Sequence, residues 1–162
     1  MQNARILVDI LKEKKYTISF AESATGGLLA SSIVDIPDAS WVLAESLVTY
    51  SNEAKMKYLD VKKETIDKYN VVSIEVVKEM ARGLNKLTNS NVCVSVSGVA
   101  GPSGGTKEIH VGTICIGFYI NGYEYQVKEV FSGTRNEVRI KTKEYIFKTL
   151  IDLLGENNGK RF

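Results

Sequence analysis

The chain is 162 residues long, with 44% apolar and 25% charged residues, an ordinary globular composition that supplies one domain with a proper core. Lysine and arginine exceed aspartate and glutamate by 21 − 19, a net charge of +2 with both signs spread along the chain. That balance argues against a nucleic-acid-binding protein, and no apolar run approaches the length of a membrane span.

In chain order, Ile6, Leu7, Ile10 and Leu11 recur at helical spacing and predict an amphipathic first helix ending near Lys15. Arg5, Asp9 and Lys12 within it are out of keeping with a signal peptide. Residues 17–22 read as a short strand, residues 23–27 as a turn, and residues 28–34 as a helix that Pro37 and Asp38 break. Residues 41–50 read as a second strand, its apolar character interrupted by Glu45 and Ser46, and residues 52–59 as a short helix. Ser73 is a good N-cap for a helix with Val76, Val77, Met80, Ala81, Leu84 and Leu87 on one face. Residues 92–97 have the length and composition of a buried strand. A strand over 111–120, the dipeptide Asn121-Gly122 and a strand over 123–131 predict a hairpin. Thr134 and Glu137 have capping-box spacing before a last helix carrying Val138, Tyr145, Ile146, Leu150, Leu153 and Leu154.

The order α-β-α-β-α-α-β-β-β-α predicts an α/β fold with a mixed, mostly parallel sheet covered on both faces. Residues 1–155 are expected to form a single domain and residues 156–162 a flexible polar tail. Cys93 and Cys115 lie in apolar runs and read as small buried hydrophobes in a reducing compartment, so the expected address is the cytoplasm. His110 has no partner at metal-ligand spacing, and no metal or cofactor is expected.

In such sheets, sites gather outside the carboxyl ends of the strands. The 92–97 strand opens into Gly98, Gly101, Pro102, Gly104 and Gly105, with hydroxyls at Ser97, Ser103 and Thr106. Four glycines around a proline favour an anion-binding loop over a merely sharp turn. Ser23 precedes a Gly-Gly turn and a helix start, where backbone N–H groups and the helix end can stabilise an oxyanion. It is a candidate nucleophile; a plain helix cap is the alternative. A Ser-His-Asp triad is not expected, so the base falls to a lysine whose pKa burial has lowered. Lys55 fits if its helix points it into the crevice, the alternative being a solvated lysine beside Lys57. Tyr50 can pack in the core or lie over a cationic ligand. Arg135 and Arg139 can grip a phosphate, or pair with Glu137 and Glu144.

Residues 21–30 (AESATGGLLA), 48–59 (VTYSNEAKMKYL), 72–81 (VSIEVVKEMA), 96–106 (VSGVAGPSGGT), 111–113 (VGT) and 131–139 (FSGTRNEVR) together resemble the CinA C-terminal domain family. Each segment is weak alone; six in order across nearly the whole chain are specific. Enzymatic members of that family are nicotinamide mononucleotide amidohydrolases. The resemblance implies a three-layer α/β/α sandwich and metal-free hydrolysis of the carboxamide of nicotinamide mononucleotide, with ammonia released. It implies Ser23 as nucleophile, Lys55 as general base and Tyr50 as a hydrogen-bonding assistant. It assigns substrate contacts to Thr25, Gly26, Gly27, Ser97, Gly98, Gly101 and Gly104, and the phosphate to that loop with Arg135 or Arg139. The expected partner is a small nucleotide, not a nucleic acid or a membrane. Proteins of this kind often self-associate, so a homo-oligomer, in the simplest case a dimer, is expected, with the amphipathic first helix as one interface.

The sequence departs from the family pattern in places. Ala24 stands for a usual cysteine, Ser97 for threonine and His110 for a common proline. Glu45-Ser46 replaces a small pair and is expected to bring a carboxylate near the site. That departure motivates a rival function, a non-catalytic nucleotide-binding or regulatory module. A DNA-repair accessory finds little support in a chain of charge +2. Many family members are fused to a molybdopterin-binding-like domain, which this stretch of sequence does not include.

Overall fold

The computed structural model describes residues 1–155, so the expected tail at 156–162 lies outside the described residues. The elements are α1 (Gln2–Lys14), β1 (Ile18–Glu22), α2 (Leu28–Val34), a 3₁₀ turn (Ala39–Trp41), β2 (Leu43–Val48), α3 (Asn52–Leu59), α4 (Lys63–Tyr69), α5 (Ile74–Thr88), β3 (Val92–Gly98), β4 (Thr113–Ile120), β5 (Tyr123–Val130) and α6 (Arg135–Leu154). One five-stranded sheet has the order β2-β1-β3-β4-β5. β1 pairs in parallel with β2 and β3, while β4 is antiparallel to β3 and β5. Four strands therefore point one way and β4 the other, as the mixed, mostly parallel reading requires.

Period-two alternation divides the sheet between two cores. Ile18, Phe20, Val92, Val94, Val96, Ile116 and Phe118 pack with buried residues of α1, α2 and α6. Cys93 and Cys115 lie on the other face with Val76, Val77, Met80 and Leu84 of α5. The result is a three-layer α/β/α sandwich. Asn121 and Gly122 take φ of 45° and 91°, the two left-handed residues of a tight hairpin turn between β4 and β5. The capping box forms at α6: Thr134 Oγ1 accepts from the Glu137 N–H, and the Glu137 carboxylate accepts from the Thr134 N–H at 2.7 Å.

Several expectations change in detail. The buried stripe of α1 is Ala4, Leu7, Val8 and Leu11, while Ile6 is exposed and Ile10 half-buried, because α1 packs mainly on α6 and α2. Trp41 belongs to the 3₁₀ turn and is 74% exposed, so β2 starts later than the apolar run does. Val111 and Gly112 precede β4, and Phe131 follows β5. Helix α4 has no counterpart among the elements expected from the sequence; only Thr65 of it is buried, so its sequence carries no apolar stripe to read.

Close approach of α5 to α3 depends on Gly83. A Cβ there would lie 1.9 Å from the Leu59 carbonyl oxygen at the end of α3. Gly83→Ala should therefore push apart the helix pair that carries Lys55. The expected outcome is a loss of about 2 kcal/mol in urea unfolding, seen as a lower midpoint at unchanged slope.

Candidate active site

The parallel register places the first strand ends side by side. Ala21 lies opposite Ser95, which brings the residues just beyond, Ser23 and Ser97, to the same edge of the sheet. On the other side Glu22 lies opposite Val48, and the Thr49 N–H donates to the Glu22 carbonyl at 2.9 Å, continuing the ladder by one residue. The chain then turns at Ser51, whose Oγ accepts from the Ala54 N–H at 3.0 Å and caps α3. Lys55 sits in the first turn of that helix.

The helix aims Lys55 inward. It is 1% exposed, and its Nζ lies 3.0 Å from Ser23 Oγ and 2.7 Å from the Thr49 carbonyl oxygen. Burial pushes the Lys55 ammonium down to about 8. A carbonyl only accepts, so Nζ must donate to Thr49 in either protonation state. In the neutral amine the remaining lone pair is then available to the Ser23 hydroxyl, the relation a general base needs.

A pocket of about 250 Å³ opens over this pair. Its floor is Ser23, Ala24 and Lys55, with Ser97 and Gly98 from the end of β3. One wall is the glycine-rich loop, including Gly101, Ser103 and Gly104; the other holds Tyr50 and Asn52. Gly101 has φ of 86°, and a Cβ on it would meet Val111 at 2.4 Å, so the loop's course admits no side chain there. Arg135, at the start of α6, spans the mouth: Nη1 donates to the Gly101 carbonyl at 2.8 Å and Nη2 to the Tyr50 hydroxyl at 3.1 Å. Tyr50 is 63% exposed, so its ring lies at the rim and not in the core. Among the described residues lining the pocket are two cations, Lys55 and Arg135, and no carboxylate.

Ser97 Oγ lines the pocket while donating to the Val71 carbonyl at 2.8 Å, which ties the segment before α5 to the sheet. Val71 and Val72 also line the pocket. The sequence gives no sign of them, because a short segment between helices carries no local pattern that says where it packs. Thr25, Gly26, Gly27 and Arg139 do not line the pocket. Thr25 is fully buried, and Arg139 Nη2 donates to its carbonyl at 2.8 Å, so this arginine braces the turn after Ser23. His110 is exposed and Glu45 and Ser46 lie exposed on the edge strand β2; none of the three lines the pocket, so the carboxylate expected near the site is not there.

The Gly-Gly turn also differs from expectation in its hydrogen bonding. The Gly27, Leu29 and Ala30 N–H groups all donate to the Glu22 carboxylate, at 2.9, 3.1 and 3.0 Å. The end of α2 is thus filled by the protein's own anion and is not open to an oxyanion.

A three-layer α/β fold with a buried serine–lysine pair beneath a glycine-rich loop defines the class of site. The family follows from comparison. A model of the CinA C-terminal domain matches residues 1–154, and the chain belongs to that family. A CinA-like protein of Petrotoga mobilis is 52% identical over 148 residues, covering 91% of this chain and 37% of that protein. The chain spans about a third of the length of the curated relatives it matches. The solved structure of competence damage-inducible protein A from Klebsiella pneumoniae has a TM-score of 0.93 at 29% identity, covering 97% of this chain and 98% of that one. That of the competence/damage inducible protein CihA from Agrobacterium tumefaciens has a TM-score of 0.90 at 34% identity, covering 94% and 93%. No helix among the described residues is long and apolar enough to cross a membrane.

The buried amine gives a signed prediction for stability. Its folded pKa of about 8 lies below the ~10.4 of a free lysine, so between those values the unfolded chain binds more protons. The unfavourable contribution of Lys55 is then complete below about pH 8 and is relieved as pH rises towards ~10.4. Melting curves of the wild type and Lys55→Met should show the wild type gaining on the variant over that window. A constant difference would place the amine's pKa near its ordinary value.

Proposed function

We propose that this domain is an amidohydrolase converting nicotinamide mononucleotide to nicotinate mononucleotide and ammonia, in pyridine-nucleotide salvage. The observation that carries the reading is the Lys55 amine, buried and 3.0 Å from Ser23 Oγ, at the floor of a pocket. Ser23 Oγ attacks the carboxamide carbon and its proton passes to neutral Lys55. The C–N bond breaks as Lys55 returns that proton to the departing nitrogen, which leaves as ammonia. Water then attacks the ester on Ser23, with Lys55 taking its proton and handing it back to Ser23 as the acid product leaves. The reaction as written uses no metal.

The pocket's charge supports an anionic ligand. Arg135 is the exposed cation at its mouth, and a phosphate there would exchange the guanidinium's present partners, Gly101 and Tyr50, for a charge-assisted pair. Amides of the glycine-rich loop add donors beside it. Tyr50 then presents a ring at the rim, where a pyridinium gains from an aromatic neighbour. Ser97 offers a hydroxyl oxygen to substrate or intermediate. Arg139 is left out of substrate binding because it holds the turn. The non-catalytic rival drew on Glu45-Ser46, and with both residues away from the pocket lining no observation favours it. We place the reaction in the cytoplasm and expect a homo-oligomer.

Ammonia release from nicotinamide mononucleotide by the purified protein tests the reading. Ser23→Ala and Lys55→Ala should each lose about 10³-fold or more in kcat while remaining folded. Turnover retained by either variant would remove that residue from its role. Because the base must be neutral, kcat/KM should climb with pH and level off above about 8. Arg135→Ala should lower kcat/KM by roughly 30-fold, mostly through KM, the loss expected for a charge-assisted hydrogen bond to phosphate. An equal loss with the nucleoside, which lacks the phosphate, would assign Arg135 to something else.

A further inference from the structure

We infer that Glu22 is the positioning residue of the nucleophile: its carboxylate locks the turn that carries Ser23. This rests on Ser23 being the nucleophile, and not on the identity of the substrate. Glu22 ends β1 and is fully buried, with no ion pair to any described residue. A buried carboxylate without such a partner is costly unless hydrogen bonds replace its water. Here one oxygen accepts from the Gly27 and Leu29 N–H groups and the other from the Ala30 N–H. These amides have no partner within the first turn of a helix, so each side meets the other's need.

The remaining amides of the turn are also spent. The Gly26 N–H donates to the Ser23 carbonyl at 3.1 Å and the Leu28 N–H to the Thr25 carbonyl at 3.2 Å. All five amides from residue 26 to residue 30 are therefore bound within the protein. Two consequences follow. Ser23, joined directly to Glu22, is held between the strand and a helix start that is anchored to that same strand, which fixes Oγ against Lys55. The oxyanion must also find donors outside α2, and the Ala24 amide, of a residue that lines the pocket, is not among the five.

The test reads the nucleophile without using the substrate. A fluorophosphonate forms a P–O bond to Ser23 Oγ and expels fluoride, while the serine proton passes to Lys55. Its labelling rate, followed by intact mass, reports how well the pair is poised. Glu22→Gln keeps the shape but leaves one acceptor oxygen and turns an NH₂ towards an N–H donor. Labelling of this variant, measured well below its melting temperature, should slow about tenfold or more. The pH midpoint, set by Lys55, should stay where it is in the wild type. Should the glutamine variant not fold, Glu22→Asp keeps the charge with a shorter reach, and the same slowing is expected. A folded variant labelled at the wild-type rate would overturn the inference, since a merely structural Glu22 would change melting alone. A wild type that is not labelled would overturn it together with the nucleophile. A wild type labelled at Ser23 that releases no ammonia would reject only the substrate, and the labelling ratio would still decide on Glu22.

Discussion

A primary amine withdrawn from solvent is the feature on which the rest of this site depends. Lys55 meets Ser23 Oγ on one side and the Thr49 carbonyl on the other, and burial brings its pKa to about 8. A lysine in water gives up its proton only at pH ~10.4; burial lets this one do so at about 8. Sustaining it takes several parts of the fold at once. Ser51 caps the helix that aims the side chain, Gly83 lets α5 close behind that helix, and the β1–β2 ladder sets Thr49 level with Ser23. The amine is unfavourable to the fold as an ion, so the site keeps its chemistry at some expense of stability.

Charge around the pocket is divided with some economy. The Gly27, Leu29 and Ala30 amides at the start of α2 are satisfied by Glu22. Arg139 is committed to the Thr25 carbonyl. What faces the pocket from the α6 side is Arg135, bridging Gly101 and Tyr50 at the mouth. Of the two basic side chains that line the pocket, Arg135 is exposed and Lys55 is buried against Ser23.

Much of the fold was legible because local chemistry and global packing agree. Asn121-Gly122 asks for a tight hairpin, Thr134 with Glu137 for a helix start, and the length and composition of the 92–97 run for a buried strand. Where the two levels part, reading failed. Ile6 and Ile10 lie near the apolar side of α1, yet Ala4 and Val8 take the buried positions because α6 and α2 choose the contact face. Helix α4 buries one threonine, so it left no pattern to find.

By itself the sequence determined which groups were available: a serine before a Gly-Gly turn, a lysine in the first turn of a helix, and a glycine-rich loop after a strand. These are local facts, set by residue type and spacing within a few positions. Only the tertiary structure decided where each lies and what it meets. It placed Lys55 in the interior, sent Arg139 to brace a turn and Arg135 to the pocket, and gave the end of α2 to Glu22. The physical reason is that a lysine's pKa, an arginine's partner and a helix end's occupant depend on surroundings supplied by residues distant in the chain. Lys55 and Ser23 stand 32 positions apart, and Arg139 and Thr25 stand 114 apart.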